Sequence, residues 1–125
     1  MSHVVKMRLL VSDLEALDDV FTGLGCTLVR GQTTHAFWNR KQSPCEHAVK
    51  VPGTSYEIGL VKSGGGWTLA YDAYDGVIES VCGRKLQTVN EGYVRRVAHK
   101  SLARRGFRFR EERLGDGRLQ LVAYK

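Results

Sequence analysis

The sequence is poor in the residues that would mark a special class of protein. It has two prolines, Pro44 and Pro52, both near the middle of the chain, so most of the backbone carries no strong breaker. Its three cysteines, Cys26, Cys45 and Cys82, are an odd number at long spacings. They read as reduced thiols rather than as a disulfide framework. No apolar run approaches the roughly 20 residues that a bilayer crossing requires; Leu9 to Val11 is typical. Lys6 and Arg8 interrupt the opening stretch, so no signal peptide is read there, and the expectation is a cytoplasmic chain without membrane contact.

What remains has ordinary globular proportions. A length of 125 residues, 42% hydrophobic and 26% charged, predicts one domain over 1–125 and excludes disordered, collagen-like and disulfide-dense chains. The net charge of +6 is unevenly spread. Residues 1–83 hold 7 Lys and Arg against 9 Asp and Glu, a balance of −2, whereas residues 84–125 hold 12 against 4, a balance of +8. The basic excess therefore lies in the last third, which points to an acidic partner: a negatively charged protein face or nucleic acid.

Val5, Met7, Leu9 and Val11 alternate as in a strand with one buried face. Ser12 and Glu15 then read as a capping box opening a helix, with Leu14, Leu17, Phe21 and Leu24 as its apolar stripe and Gly25 as its stop. Strands are expected at Cys26 to Arg30 and His35 to Arg40, followed by an irregular excursion around a short strand at Ala48 to Val51. Tyr56 to Val61 and Trp67 to Tyr71 form a hairpin across Gly64-Gly65-Gly66. A second helix is expected from Leu86 to Arg105, with Leu86, Val89, Tyr93, Val97 and Leu102 inward, then a hairpin of Phe107 to Arg113 with Arg118 to Tyr124. Leu24 to Leu28 and Arg105 to Phe109 echo each other, a candidate helix-strand-strand duplication. The expected fold is α+β: a single mainly antiparallel sheet with two long helices on one face, burying Leu17, Phe21, Ile58, Val97 and Phe109 together.

Met1-Ser2-His3, Asp13 to Leu17, Leu24-Gly25-Cys26 and above all Tyr56 to Val61 with Gly64 to Trp67 and Leu69 carry a resemblance over nearly the whole chain. Tyr93, Gly106-Phe107 and Asp116-Gly117 before Leu119 to Val122 extend it. On these residues the chain resembles a small cyanobacterial and plastid family named for hypothetical chloroplast reading frame thirty-five, a domain of unknown function. It departs from the family's pattern between Thr33 and Pro52, where it has His35-Ala36-Phe37-Trp38. Members are often encoded near AAA-type ATPases, so the resemblance implies one compact fold and that class of partner, and no reaction.

The candidate chemistry is sparse. Cys26, His35, Cys45, His47 and Cys82 are zinc-type residues, but no Cys-x-x-Cys pair gathers them, and no metal is expected. Cys45 stands two residues from His47 without any sign of an oxyanion hole. Gly64-Gly65-Gly66 leads into a strand, whereas a phosphate loop leads into a helix. The acidic pairs Asp72 with Asp75 and Glu111 with Glu112 read as solvated turn and strand charges. No cofactor motif and no catalytic residue are read.

The basic set is the better candidate. Arg96, Lys100 and Arg104 recur every four residues on one helix face, with Arg95 and His99 beside them and Arg108 and Arg110 on the following strand. Part of this charge serves solubility and the helix dipole. The leading expectation is a non-enzymatic adaptor that docks an acidic protein on the basic helix and hairpin. The alternative is nucleic-acid binding through phosphate contacts. A small-molecule pocket using His35, Trp38 and Trp67 comes third.

Overall fold

The computed structural model describes residues 4–6 and 10–124. Their order is β1 (Val4–Lys6), α1 (Leu14–Gly23), β2 (Thr27–Arg30), β3 (Thr34–Phe37), β4 (Lys41–Pro44), β5 (His47–Lys50), β6 (Glu57–Ser63), β7 (Gly66–Asp72), α2 (Val77–Cys82), α3 (Gln87–Arg104), β8 (Arg108–Arg113) and β9 (Leu119–Tyr124). The chain is α+β and its strand pairing is antiparallel, as the patterning predicts.

The main sheet runs β1-β7-β6-β5-β2. Its register pairs Val49 with Ile58 and Leu60 with Leu69, which puts these apolar residues and Tyr71 on one face. The helices cover that face: Leu17 and Phe21 of α1, Ile78 and Cys82 of α2, and Val89 and Tyr93 of α3 join them in one core cluster. Val97 packs on the edge of this cluster, partly buried, and the side chain of Phe109 lies outside the described residues.

The helix α1 begins one residue later than its capping box suggests. Asp13 is the N-cap, and its Oδ1 accepts from the Ala16 N–H at 3.0 Å. The backbone N–H groups of Ser12 and Asp13 instead donate to the Tyr93 hydroxyl, each at 3.0 Å, so a residue of α3 closes the start of α1. Only Val4–Lys6 and an isolated bridge from Val11 to Trp67 represent the expected first strand, and residues 7–9 lie outside the described residues.

The expected single sheet is divided. The β3–β4 pair, in which β3 overlaps the expected His35 to Arg40 strand and β4 lies in the irregular excursion, is a separate ribbon, and β8–β9 is another. Five of the six residues of β8 are charged, so it has no continuous apolar face with which to extend the main sheet. It is moored to α3 by ion pairs, Arg113 to Glu91 at 2.9 Å and Arg95 to Glu111. The two echoing segments share a turn, with Gly25 at φ 80° and Gly106 at φ 78°, but not a pairing pattern. The strand β2 pairs with β5, while β8 pairs with its own successor.

Candidate functional site

The basic side chains of α3 and β8 do not form one free surface. Arg96 reaches Asp19 of α1 at 3.1 Å, and Lys100 reaches Asp13 at 3.2 Å and Glu15 at 3.8 Å. Lys100 is only 23% exposed: the sequence places it on the docking face with Arg96 and Arg104, but in the fold it is part of the α1–α3 contact. The Ala16 N–H and then the Lys100 ammonium hold the Asp13 carboxyl below its usual range. Arg95 pairs with Glu111, and Arg110 with Glu112 at 3.0 Å. Arg104 and Arg108 are exposed.

Three of the seven residues, Arg95, Arg96 and His99, rim an open groove of about 530 Å³ between α1 and α3, together with Asp19, the partner of Arg96, so the rim is basic on balance rather than uniformly. Its floor is Val20, Gly23, Leu24 and Gly92. Gly92 lets the helices approach: a Cβ there would stand 3.0 Å from Val20 Cγ1. An apolar floor with a cationic rim is chemically suited to an amphipathic segment whose polar side is acidic. Helical spacing alone exposes the rim, whereas the floor requires knowing which face of α1 meets α3.

A second concavity lies on the opposite face of the main sheet. The β3–β4 ribbon seats His35 over Gly59, and a cavity of about 340 Å³ is lined by His35, Phe37, Ser43, Val61, Thr68 and Ala70. Beside it Glu57, 7% exposed, accepts from Gln32 Nε2 at 3.0 Å and the Ala36 N–H at 2.9 Å, and pairs with Lys50 at 3.5 Å. Burial alone would raise the Glu57 carboxyl, but these bonds and the lysine charge hold it below the usual carboxylate range. The ribbon is thus clamped to the sheet by a buried carboxylate.

The tryptophans do not share this cavity. Trp38 stacks edge-on to Tyr74 with Lys41 Nζ 5.6 Å from its ring, and Trp67 donates to Glu46 at 2.7 Å and meets the His47 ring edge-on. The grouping of His35, Trp38 and Trp67 in one pocket is therefore not what the fold assembles. Cys45 and His47 are likewise engaged apart: the thiol donates to the Gln32 carbonyl, and His47 Nδ1 accepts from the Gly31 N–H. Burial pushes the Cys45 thiol up, which is unfavourable for a nucleophile. Asp72 accepts from the Trp38 and Tyr74 N–H groups, and Glu111 and Glu112 are paired with arginines. Among the described residues no three His, Cys, Asp or Glu side chains converge as a metal site. No helix among them is long and apolar enough to cross a membrane.

Comparison with protein-family models, with curated proteins and with solved structures returns no match.

Proposed function

We propose that the chain is a non-enzymatic adaptor domain that docks an acidic partner protein in the groove between α1 and α3. The observation that carries this reading is the combination of an apolar floor at Val20, Leu24 and Gly92 with the rim of Arg95, Arg96 and His99. The rim supplies orientation and rate of encounter, and the floor supplies the area to bury. Nucleic-acid binding fits less well, because phosphate contacts make no use of the apolar floor. Arg95 and Arg96 already sit on Glu111 and Asp19, so an acidic partner of either kind has to compete with those carboxylates, and the buried floor is what favours a protein. The family resemblance adds an AAA-type ATPase as the partner class to test first, and the free thiols of Cys26, Cys45 and Cys82 fit a reducing compartment such as the cytoplasm.

Photocrosslinking tests the reading. A Cβ at Gly23 or at Gly115 would meet nothing within 4 Å, so a benzophenone amino acid can branch from the backbone at either place. Gly23 lines the groove and Gly115 lies in the β8–β9 turn. In the native host, an acidic protein should crosslink from position 23 and not from position 115. No adduct at 23, or the same adducts at both, would overturn the proposal.

A further inference from the structure

The cavity beneath the β3–β4 ribbon is independent of the groove, since it lies across the sheet from both helices. Its polar centre is His35, only 3% exposed. Nδ1 stands 3.3 Å from the Glu57 carbonyl oxygen. A carbonyl only accepts, so Nδ1 carries the proton and Nε2 is left with its lone pair. Burial pushes the imidazole below its ordinary value, which keeps this neutral form at neutral pH. Among the described residues Nε2 makes no hydrogen bond. His35 lines the cavity, so this nitrogen is an acceptor available to a donor that enters it.

The walls set the rest of the chemistry. Phe37, Val61 and Ala70 are apolar, and the Phe37 ring lies 6.2 Å from the imidazole, tilted by 40°. Ser43 stands opposite His35 in the ribbon and Thr68 comes from β7, each adding one hydroxyl. No charged side chain is among these six lining residues, so an ion would lose its hydration without a counter-charge. The volume of about 340 Å³ lies at the small end of the ~300–1,000 Å³ typical of ligand sites.

We propose that this cavity is a binding site for a small neutral aromatic alcohol, whose ring packs between Phe37 and the sheet and whose hydroxyl donates to His35 Nε2. The Gly59 position makes the site achievable. With no side chain there, the imidazole can lie flat on β6 and leave the space beside it open toward Val61, Thr68 and Ala70.

The test uses the intact chain and two probes, p-cresol and toluene, which differ in the hydroxyl. Isotope-labelled protein is titrated with each and followed by NMR, including the imidazole nitrogens of His35. The expected result with p-cresol is saturable shifts confined to His35, Phe37, Val61, Thr68, Ala70 and their neighbours. The Nε2 resonance should move as for a lone pair that gains a donor, and toluene should bind about tenfold more weakly. Ala70→Leu, or Thr68→Leu if the former does not fold, should abolish the shifts by filling the space. Absence of saturable shifts, shifts centred elsewhere, or equal binding of the two probes by the wild type would overturn the proposal, and the wild-type comparison decides it without either variant.

Discussion

The hydroxyl of Tyr93 accepts hydrogen bonds from two successive backbone N–H groups, Ser12 and Asp13, each at 3.0 Å. One side chain of the last helix thereby fixes where the first helix begins and how far apart the two lie. The walls of the proposed groove depend on that spacing.

Tyr93→Phe keeps the ring and removes the acceptor, leaving both N–H groups to find water at the helix start. The expected loss is about 1–3 kcal/mol. It is checked by urea unfolding, where the midpoint should fall at unchanged slope.

A methyl group on Gly59 would stand 2.2 Å from His35 Cδ2, so Gly59→Ala forces the ribbon off the sheet or the imidazole out of its place. The expected cost is about 1–3 kcal/mol, as for other overpacked sites. Adding His35→Ala should recover part of it, and a double-mutant cycle by urea unfolding measures that coupling.

The thiols should differ sharply in reactivity. Burial pushes Cys82 up to about 12 and raises Cys26, its hydrogen-bonding neighbour, as well. Both lie in the core, whereas Cys45 is half-buried. A thiol-disulfide reagent at mildly alkaline pH should label Cys45 alone in the native protein and all three after unfolding, read by mass spectrometry.

Stability should plateau in mid-range pH and fall on both sides. His35 is depressed below its ordinary 6.5, so the unfolded chain binds the extra proton as pH falls through that value and stability is lost. Below it the carboxyls of Asp13, Glu57, Glu79 and Glu91, all held low in the fold, extend the loss as they take up protons. On the alkaline side, Cys26, Cys45 and Cys82 are raised above their ordinary 9.0 and Tyr71 above 10.0, so the folded state resists ionisation that the unfolded state allows. Unfolding midpoints measured across pH should therefore be flat between about 6.5 and 9. His35→Asn should flatten the first part of the acid limb.

The parts of the fold legible in the sequence are those written by local period. Leu17 and Phe21 at helical spacing, the two strands flanking Gly64 to Gly66, and the α3 positions Val89 and Tyr93 stand where the patterning puts them. Of the β3–β4 ribbon, β3 is legible as the His35 to Arg40 strand, but β4 and the seating of the ribbon are not, because what seats it is distant in sequence: Gly59 beneath His35, and Glu57 binding Gln32, Ala36 and Lys50. The helix α2 is too short, at six residues, to show a period. Ser12 and Asp13 are equally good caps by type, and what separates them is that the Asp13 carboxylate accepts from the Ala16 N–H. The basic residues of α3 are visible from spacing. Their partners Asp13, Glu15 and Asp19 are not, since those depend on which faces of two helices meet.

The central claim is that the α1–α3 groove, and not basic charge in general, recruits an acidic protein. Affinity purification from the native host, at physiological salt and with three baits, tests it most directly. The baits are the wild type, a rim variant carrying Arg95→Ala, Arg96→Ala and His99→Ala, and a variant carrying Arg104→Ala and Arg108→Ala away from the rim, each first confirmed as folded by circular dichroism. The account predicts that one acidic protein is enriched by the wild type and by the Arg104/Arg108 variant and is lost from the rim variant. Retention of that protein by the folded rim variant, or its loss from the Arg104/Arg108 variant alone, would contradict it.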